Sequence, residues 1–380
     1  MKIGVVRESI AGERRVALVP ESVKRLIGKK HEIVVESGAG VASGASDDDY
    51  RKAGATVGTA DDAWGADFVC KVAVPTDAEV LRVREGAALV SLLYPLVNRA
   101  LVDKLAAHKV TSLSLDAIPR TTLAQMMDVL SSQATVAGYR AVILAAEALP
   151  RMCPMLVTAA GTLAPARFLI LGAGVAGLQA IATARRLGAV VEAFDVRKVV
   201  KEQVESLGAR FIEVPSEEDA QTASGYAKEV SEEYKQKQAA LIAEALKRAD
   251  ACVTTALIPG KRAPVLIPAD AARGMKPGSV IVDLAAEQGG NCALTKPGER
   301  FVDPESGVIL MGPQNLPSDL PVHASQMFSR NVEKLILHIT TKEAVLALDG
   351  GDEIKRGVVV TQGGAVVHPS LAAKEKVAAS

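Results

Sequence analysis

Residues 167–197 read RFLILGAGVAGLQAIATARRLGAVVEAFDVR, and their order sets the architecture of the chain's second half. FLIL is a short apolar strand. Gly172, Gly174 and Gly177 follow as G-x-G-x-x-G, a helix opens on them, and VVEAF forms a second strand. Gly172 permits the tight turn, Gly174 lets the backbone approach a pyrophosphate, and Gly177 lets helix and strand pack closely. The phosphates then meet the free N–H groups of a helix N-terminus, together with Val175 and Ala176 of its first turn. The second strand ends at Asp195, 23 residues after Gly172, where a carboxylate accepts from a ribose 2′-hydroxyl. A glycine-rich turn without a dinucleotide is the competing reading, and the strand–turn–helix–strand–acid context weighs against it. Asp195 favours NAD by repelling a 2′-phosphate. Arg197, beyond Val196, argues the reverse if it pairs with phosphate, or else stacks near adenine or faces solvent.

The rest of the sequence bounds what surrounds this motif. At 380 residues the chain exceeds one ordinary domain, and 49% hydrophobic residues suffice for two cores. Aromatics make up 3%, so those cores must be aliphatic. Lys plus Arg equals Asp plus Glu at 44 each, which gives no long-range attraction to nucleic acid or anionic lipid. Cys70, Cys153, Cys252 and Cys292 form no C-x-x-C, and the histidines are scattered, so no metal site is expected. Charges at Arg7, Glu8, Glu13, Arg14 and Arg15 exclude a signal peptide. The longest central charge-free run, residues 168–184, carries the three glycines and reads as strand–turn–helix; no other stretch suggests a membrane span.

Short apolar runs alternate with amphipathic segments. KIGVV (2–6), EIVVE (32–36), DFVCKV (67–72), ALVSL and TSLSL (111–115) read as strands, with PESVKRLI, SDDDYRKAG and NRALVDKLAAH as helices between them. A long helix is expected from about Leu123 to Glu147. A second series then runs through FLIL, VVEAF, RFIEV (210–214), ACVTT (251–255), SVIVDL (279–284) and VILM (308–311). The expected fold is α/β: two Rossmann-like doubly wound domains with mostly parallel sheets, separated by a cleft. A helical segment from Pro321 to Leu348 has no strands of its own nearby and should return to the first domain. The expected division is therefore 1–130 plus 320–380 as a discontinuous domain, and 131–319 as the nucleotide domain.

The chain resembles the alanine dehydrogenase/transhydrogenase superfamily along nearly its full length. The shared stretches are RESIAGERRVALVP, the glycine signature, TTALIPGKRAPVLI (254–267) and MKPGSVIVDLAAEQGGN (275–291). RTTLAQMMDVLSSQATVAGYRAV, KEQVESLGARFIEV and SGYAKEVSEEYKQKQ resemble the NAD(H)-binding component of proton-translocating transhydrogenase in particular. Alanine dehydrogenases use a lysine and a histidine, with an aspartate beside the nicotinamide. Lys71 matches that lysine, more simply as a structural or vestigial residue. No histidine lies between His31 and His108, Glu287 stands in place of the aspartate, and Arg15 is retained.

This resemblance implies that Arg120, Gln125, Asp128 and Ser131 form a polar loop around the nicotinamide. It implies that Asp195 and Arg197 hold the adenosine side, that Gly225 and Tyr226 belong to a loop closing over the nucleotide, and that Gln238, Ala256 and Leu257 make further contacts. The plainer readings are a helix cap for Gln125 and Asp128, a surface tyrosine for Tyr226, and a solvated helix face for KEVSEEYKQK. The missing histidine has a chemical rationale. Reducing a carbonyl or imine consumes a hydride and a proton, and a general acid usually supplies the proton. Transfer between two nicotinamide rings moves a hydride alone, and needs orientation rather than an acid.

The expected function is thus the NAD(H) subunit of a transhydrogenase, with NADP(H) on a partner subunit and proton translocation by membrane subunits. The ending VAAS carries no hydrophobic extension, so those components are expected on other chains. The implied state is a homodimer, cytoplasmic and held at the inner membrane through its partners, with no nucleic acid bound. The alternatives are an alanine dehydrogenase-like enzyme and an NAD-sensing module without turnover.

Overall fold

The computed structural model describes residues 1–215, 231–258, 261–349 and 351–371. The strands begin with β1 (Lys2–Val5), β2 (Glu32–Glu36), β3 (Thr56–Gly58), β4 (Phe68–Cys70), β5 (Ala88–Ser91) and β6 (Thr111–Ser114). A hairpin of β7 (Leu156–Thr158) and β8 (Gly161–Leu163) precedes β9 (Arg167–Leu171), β10 (Val190–Phe194), β11 (Arg210–Phe211) and β12 (Ala251–Thr254). Then come β13 (Val280–Asp283), β14 (Arg300–Val302), β15 (Ile309–Met311), β16 (Val359–Gln362) and β17 (Ala365–Val366). The chain divides into two compact units, one of Met1–Gln133 with Pro317–Ser380 and one of Ala134–Leu316.

The first unit holds a sheet ordered β17-β16-β6-β5-β4-β1-β2-β3. Strands β1 to β6 are parallel, and β16 joins β6 antiparallel. Sequence reading does not anticipate β16 and β17; the short helix Glu353–Val358 runs directly into β16, and the two strands return to the first sheet from the far end of the chain. Alternate residues serve opposite faces. Ile3, Val5, Phe68, Cys70 and Val90 pack with Phe328, Val332 and Leu335 of helix Pro321–His338. Val69 and Leu89 pack with Trp64, Val102 and Leu105 on the other side. Both faces are covered, so the central strands β4 and β5 are near-continuous apolar runs rather than alternating.

The second unit repeats the plan, with a sheet ordered β11-β10-β9-β12-β13-β15-β14. It is parallel except for the edge strand β14. Phe168, Ile170, Val191 and Val253 pack with Ala180, Ile181 and Ala184 of helix Val175–Arg186. Leu169, Leu171, Cys252 and Ile281 pack with Ile242, Ala245 and Leu246 of helix Glu232–Arg248. In both units the core strands follow the doubly wound order 3-2-1-4-5-6, which reverses direction between β1 and β4 and between β9 and β12.

The helix expected from Leu123 begins later. Residues Ala124–Met127 form a 3₁₀ turn, Asp128 leaves helical geometry at ψ 91°, and the α-helix runs Val129–Ala148. By length and composition alone this helix could cross a membrane, whereas the sequence reading singles out no such stretch beyond residues 168–184. Part of its apolar surface has protein partners. Val129 lies in the first unit's core, and Ala141, Val142 and Ala145 lie in the second unit's core.

Candidate functional site

The crevice where the strand order of the second unit reverses is lined by backbone. Gly172 follows β9 with φ of 98°, and its N–H donates to Phe194 O at 2.8 Å. A Cβ on Gly177 would stand 1.8 Å from Gly172 O, so helix Val175–Arg186 reaches its position over the turn only with glycine there. The N-cap of that helix is Gly174, which has no side chain to satisfy the first-turn N–H groups. Val175 is exposed and Ala176 half-buried beside it. Thr255, after β12, closes the far wall: its N–H donates to Leu171 O at 2.8 Å and its Oγ1 to Gly172 O at 3.1 Å.

Asp195 is 9% exposed, and four donors surround its carboxylate. Oδ1 accepts from Arg197 N (2.9 Å) and Arg197 Nε (3.0 Å). Oδ2 accepts from Ala173 N (2.7 Å) and Arg197 Nη2 (2.9 Å). Arg197 therefore neither faces solvent alone nor stands apart from the acid. Their hydrogen bond raises the guanidinium's hold on its proton. Val196 between them is half-buried.

Gln238 is buried on the inner face of helix Glu232–Arg248, while Leu257 is exposed and Ala256 half-buried. Gly225 and Tyr226 lie outside the described residues. The structure adds residues that sequence reasoning passes over. Asn291 Oδ1 accepts from Ala256 N (3.0 Å), and its Nδ2 donates to Ala256 O (2.9 Å) and Pro264 O (2.8 Å), so a side-chain amide pairs with a loop as a strand would. Asp283, fully buried at the end of β13, accepts from the N–H of Asn291 (2.8 Å) and of Cys292 (3.0 Å), and from the hydroxyls of Thr254 (2.9 Å) and Thr295 (2.6 Å). An acid closing an apolar strand is the signal that could have found it. The glycine turn, the uncapped helix end and the carboxylate at the neighbouring strand suit a dinucleotide: N–H groups for the pyrophosphate and acceptors for a ribose.

The matching crevice of the first unit has a different lining. Glu8, just past β1, and Lys71, just past β4, meet at 2.5 Å, and Lys71 reaches Glu79 at 3.2 Å. Lys71 is wholly buried, and Glu8 and Glu79 nearly so. Glu8 also accepts from Val72 N at 2.6 Å. Burial pushes the Glu8 carboxyl up, against the attraction of Lys71. The lysine that stands out in the sequence is thus fully engaged within the protein. Arg15 is likewise buried, bridging Glu13 at 2.6 Å and Gln133 Oε1 at 2.9 Å. Glu287 sits exposed on the 3₁₀ turn Ala286–Gln288, where it accepts from the backbone of Asn315.

The segment with Arg120, Gln125, Asp128 and Ser131 belongs to the first unit. Ala124 and Met127 anchor the 3₁₀ turn in the core, and Asn331 Nδ2 of helix Pro321–His338 holds it by donating to Met126 O at 2.8 Å. Arg120 and Gln125 are exposed. Asp128 precedes helix Val129–Ala148 and accepts from Ser131 N (2.9 Å) and Ser131 Oγ (2.6 Å), a capping arrangement. Capping is therefore one real role for Asp128 and Ser131. It does not involve the side chain of Gln125, whose backbone alone takes part, through Asp128 N donating to Gln125 O at 3.3 Å.

Comparison with known proteins extends along the whole chain. An NAD(P) transhydrogenase subunit alpha protein of Rhodospirillum rubrum is 49% identical over 381 aligned positions, covering 98% of this chain and 99% of that one. The crystal structure of transhydrogenase from Sinorhizobium meliloti superimposes with a TM-score of 0.85 at 42% identity, covering 97% of this chain and 100% of that one. An L-alanine dehydrogenase structure superimposes at 0.81 with 28% identity, covering 99% of each chain. The alanine dehydrogenase/PNT N-terminal domain model matches residues 4–137, and the C-terminal domain model matches residues 141–369. Two doubly wound sheets, a glycine turn at one reversal point and family matches over both halves lead to one conclusion: the chain belongs to the alanine dehydrogenase/PNT family.

Proposed function

We propose that this chain is the NAD(H)-binding subunit of a proton-translocating NAD(P) transhydrogenase, which passes hydride directly between NADH on this chain and NADP⁺ on a partner subunit. The observation that carries this reading is the glycine turn with Asp195 at the adjoining strand end, in a chain 49% identical over 98% of its length to a transhydrogenase subunit alpha. When bound, NADH supplies the hydride. The protein's own work is then to bind and orient. Gly172, Gly174, Val175, Ala176 and Gly177 receive the pyrophosphate. Asp195, Val196 and Arg197 line the adenosine side, where Asp195 accepts from the ribose, and Gln238, Ala256 and Leu257 add contacts, with Gly225 and Tyr226 in a closing loop. Arg120, Gln125, Asp128 and Ser131 orient the nicotinamide by its carboxamide and ribose.

Such a reaction moves no proton at the ring, in keeping with a site of guanidinium, amide and hydroxyl groups in which the one carboxylate, Asp128, is held by Ser131 N and Oγ. Orientation alone contributes several kcal/mol when the reacting atoms are held near contact, on the order of 7–11 kcal/mol in favourable cases. The engaged Lys71 and the absence of histidine between His31 and His108 count against an alanine dehydrogenase-like reaction. In this reading the subunit is a homodimer on the cytoplasmic side, held at the inner membrane by the subunits that bind NADP(H) and conduct protons. The test mixes the chain with an NADP(H)-binding transhydrogenase subunit and follows hydride exchange between NADH and an NADP⁺ analogue. Exchange that needs both chains supports the proposal. Turnover with pyruvate, ammonium and NADH by this chain alone overturns it.

A further inference from the structure

The pairing of Asp195 with Arg197 bears on nucleotide choice, provided that the second unit's crevice binds a nicotinamide nucleotide as proposed above. Each carboxylate oxygen has one donor from the backbone and one from the guanidinium. Oδ1 takes Arg197 N and Nε, and Oδ2 takes Ala173 N and Arg197 Nη2. The backbone donors are fixed by the turn after β9 and by the chain after β10. The two guanidinium donors can leave by side-chain rotation. They hold the two acceptor positions that a vicinal diol would need, one on each oxygen. The guanidinium also lies over the glycine turn, with Nη2 4.0 Å from where a Cβ on Gly174 would stand.

We infer that Arg197 is a latch that stands in for the ribose diol: it fills the two exchangeable positions on Asp195, and the adenosine ribose displaces it. The device answers a physical problem. A carboxylate this buried is costly without a countercharge, yet it must be available to a neutral diol. An arginine two residues away supplies the charge without a permanent claim on the site. The latch also sets selectivity. While Arg197 is paired, the crevice is close to neutral, so Asp195 repels a 2′-phosphate only weakly. Once displaced, the guanidinium can meet that phosphate directly. NADH is therefore preferred by a modest margin rather than to the exclusion of NADPH.

The experiment titrates the full chain with NADH and NADPH by calorimetry, as wild type, Arg197→Lys and Arg197→Gln. Lysine keeps the charge but reaches one carboxylate oxygen at a time, so the diol displaces it more easily. Arg197→Lys should bind NADH about threefold tighter than wild type. Losing one charged hydrogen bond is worth on the order of tenfold, and lysine gives back part of it. Arg197→Gln should weaken NADPH by about tenfold relative to NADH. With 2′-deoxy-NADH, which offers one hydroxyl fewer, the gain of Arg197→Lys should shrink. NADH bound more weakly, or equally, by Arg197→Lys overturns the latch, because the guanidinium would then aid binding rather than compete with it. An unchanged NADPH-to-NADH ratio in Arg197→Gln overturns its part in selectivity. Should Arg197→Gln fail to fold, the charge-conserving lysine variant and the deoxy probe still decide. Wild type that binds no nicotinamide nucleotide overturns the proposed function itself, and the latch with it.

Discussion

The two units repeat one strand order, and each has a crevice where that order reverses. In the second unit the crevice is backbone, opened by Gly172, Gly174 and Gly177. In the first unit the corresponding place is filled by Lys71, whose ammonium pairs with both the Glu8 and the Glu79 carboxylates out of water. Topology alone puts a ligand crevice at both. The fold thus offers the place and the residues settle its use: glycines leave room and free N–H groups, whereas a charge cluster satisfies itself and closes the space. The same contrast marks the two sets of candidate residues. The glycine turn is held from every side, whereas Arg120 and Gln125 stand exposed above a turn anchored from below by Ala124, Met127 and Asn331.

This contrast between a sealed and an open crevice is tested most severely at the sealed one. Lys71→Met should destabilise the first unit by about 3–5 kcal/mol, because it leaves buried carboxylates without a countercharge. NADH affinity should stay as it was. The Glu8 carboxyl is already raised by burial. An acid raised in the folded state takes up a proton before the unfolded chain does, so folding gains as pH falls through that value. The deficit of Lys71→Met should therefore be smaller in melts at about pH 5 than at about pH 7.5. A lost NADH affinity with unchanged melting would mean that the sealed crevice is a site after all.

In the open crevice, Gly177→Ala would force a Cβ to within 1.8 Å of Gly172 O. The helix must shift, at a cost of up to about 3 kcal/mol, and NADH binding should fall on the order of a hundredfold. Binding that survives this change would remove the glycine turn from the site. Next in size is Gln125→Ala. If this side chain orients the nicotinamide, transfer to the partner's nucleotide should slow about a hundredfold, while NADH affinity changes by less than about tenfold and melting does not move. Stopped-flow transfer beside calorimetry separates the two effects. The smallest effect belongs to Asp128. Asp128→Ala removes the cap on helix Val129–Ala148 and should cost about 1 kcal/mol in stability, whereas Asp128→Asn keeps an acceptor for Ser131 N. Slow transfer in Asp128→Asn at unchanged melting would show a role beyond capping.

Much of this is readable from the sequence, for local reasons. G-x-G-x-x-G followed by an acid at a strand end constrains backbone within about thirty residues, and such constraints survive without tertiary information. Apolar strands alternating with amphipathic helices establish the α/β class, because a sheet covered on both faces favours near-continuous apolar runs. The start of the helix at Val129 is obscured, because LAQMMDVL keeps helical spacing across a break that only the geometry of Asp128 reveals.

Pairings between residues far apart in the chain belong to the tertiary structure. Glu8 and Lys71 are 63 residues apart and meet because β1 and β4 are neighbours in the sheet. Asn291 reaches back 35 residues to Ala256, and Asn331 reaches back 205 to Met126. Strands β16 and β17 return from the chain's end to extend the first sheet. Even the short-range pair of Asp195 and Arg197 shows its four-donor arrangement only once β9 lies beside β10 and brings Ala173 N to the carboxylate. Sequence spacing encodes which backbone shapes are allowed. Which charges neutralise one another, and so which crevice stays open, depends on strand neighbours that the packed sheet alone sets.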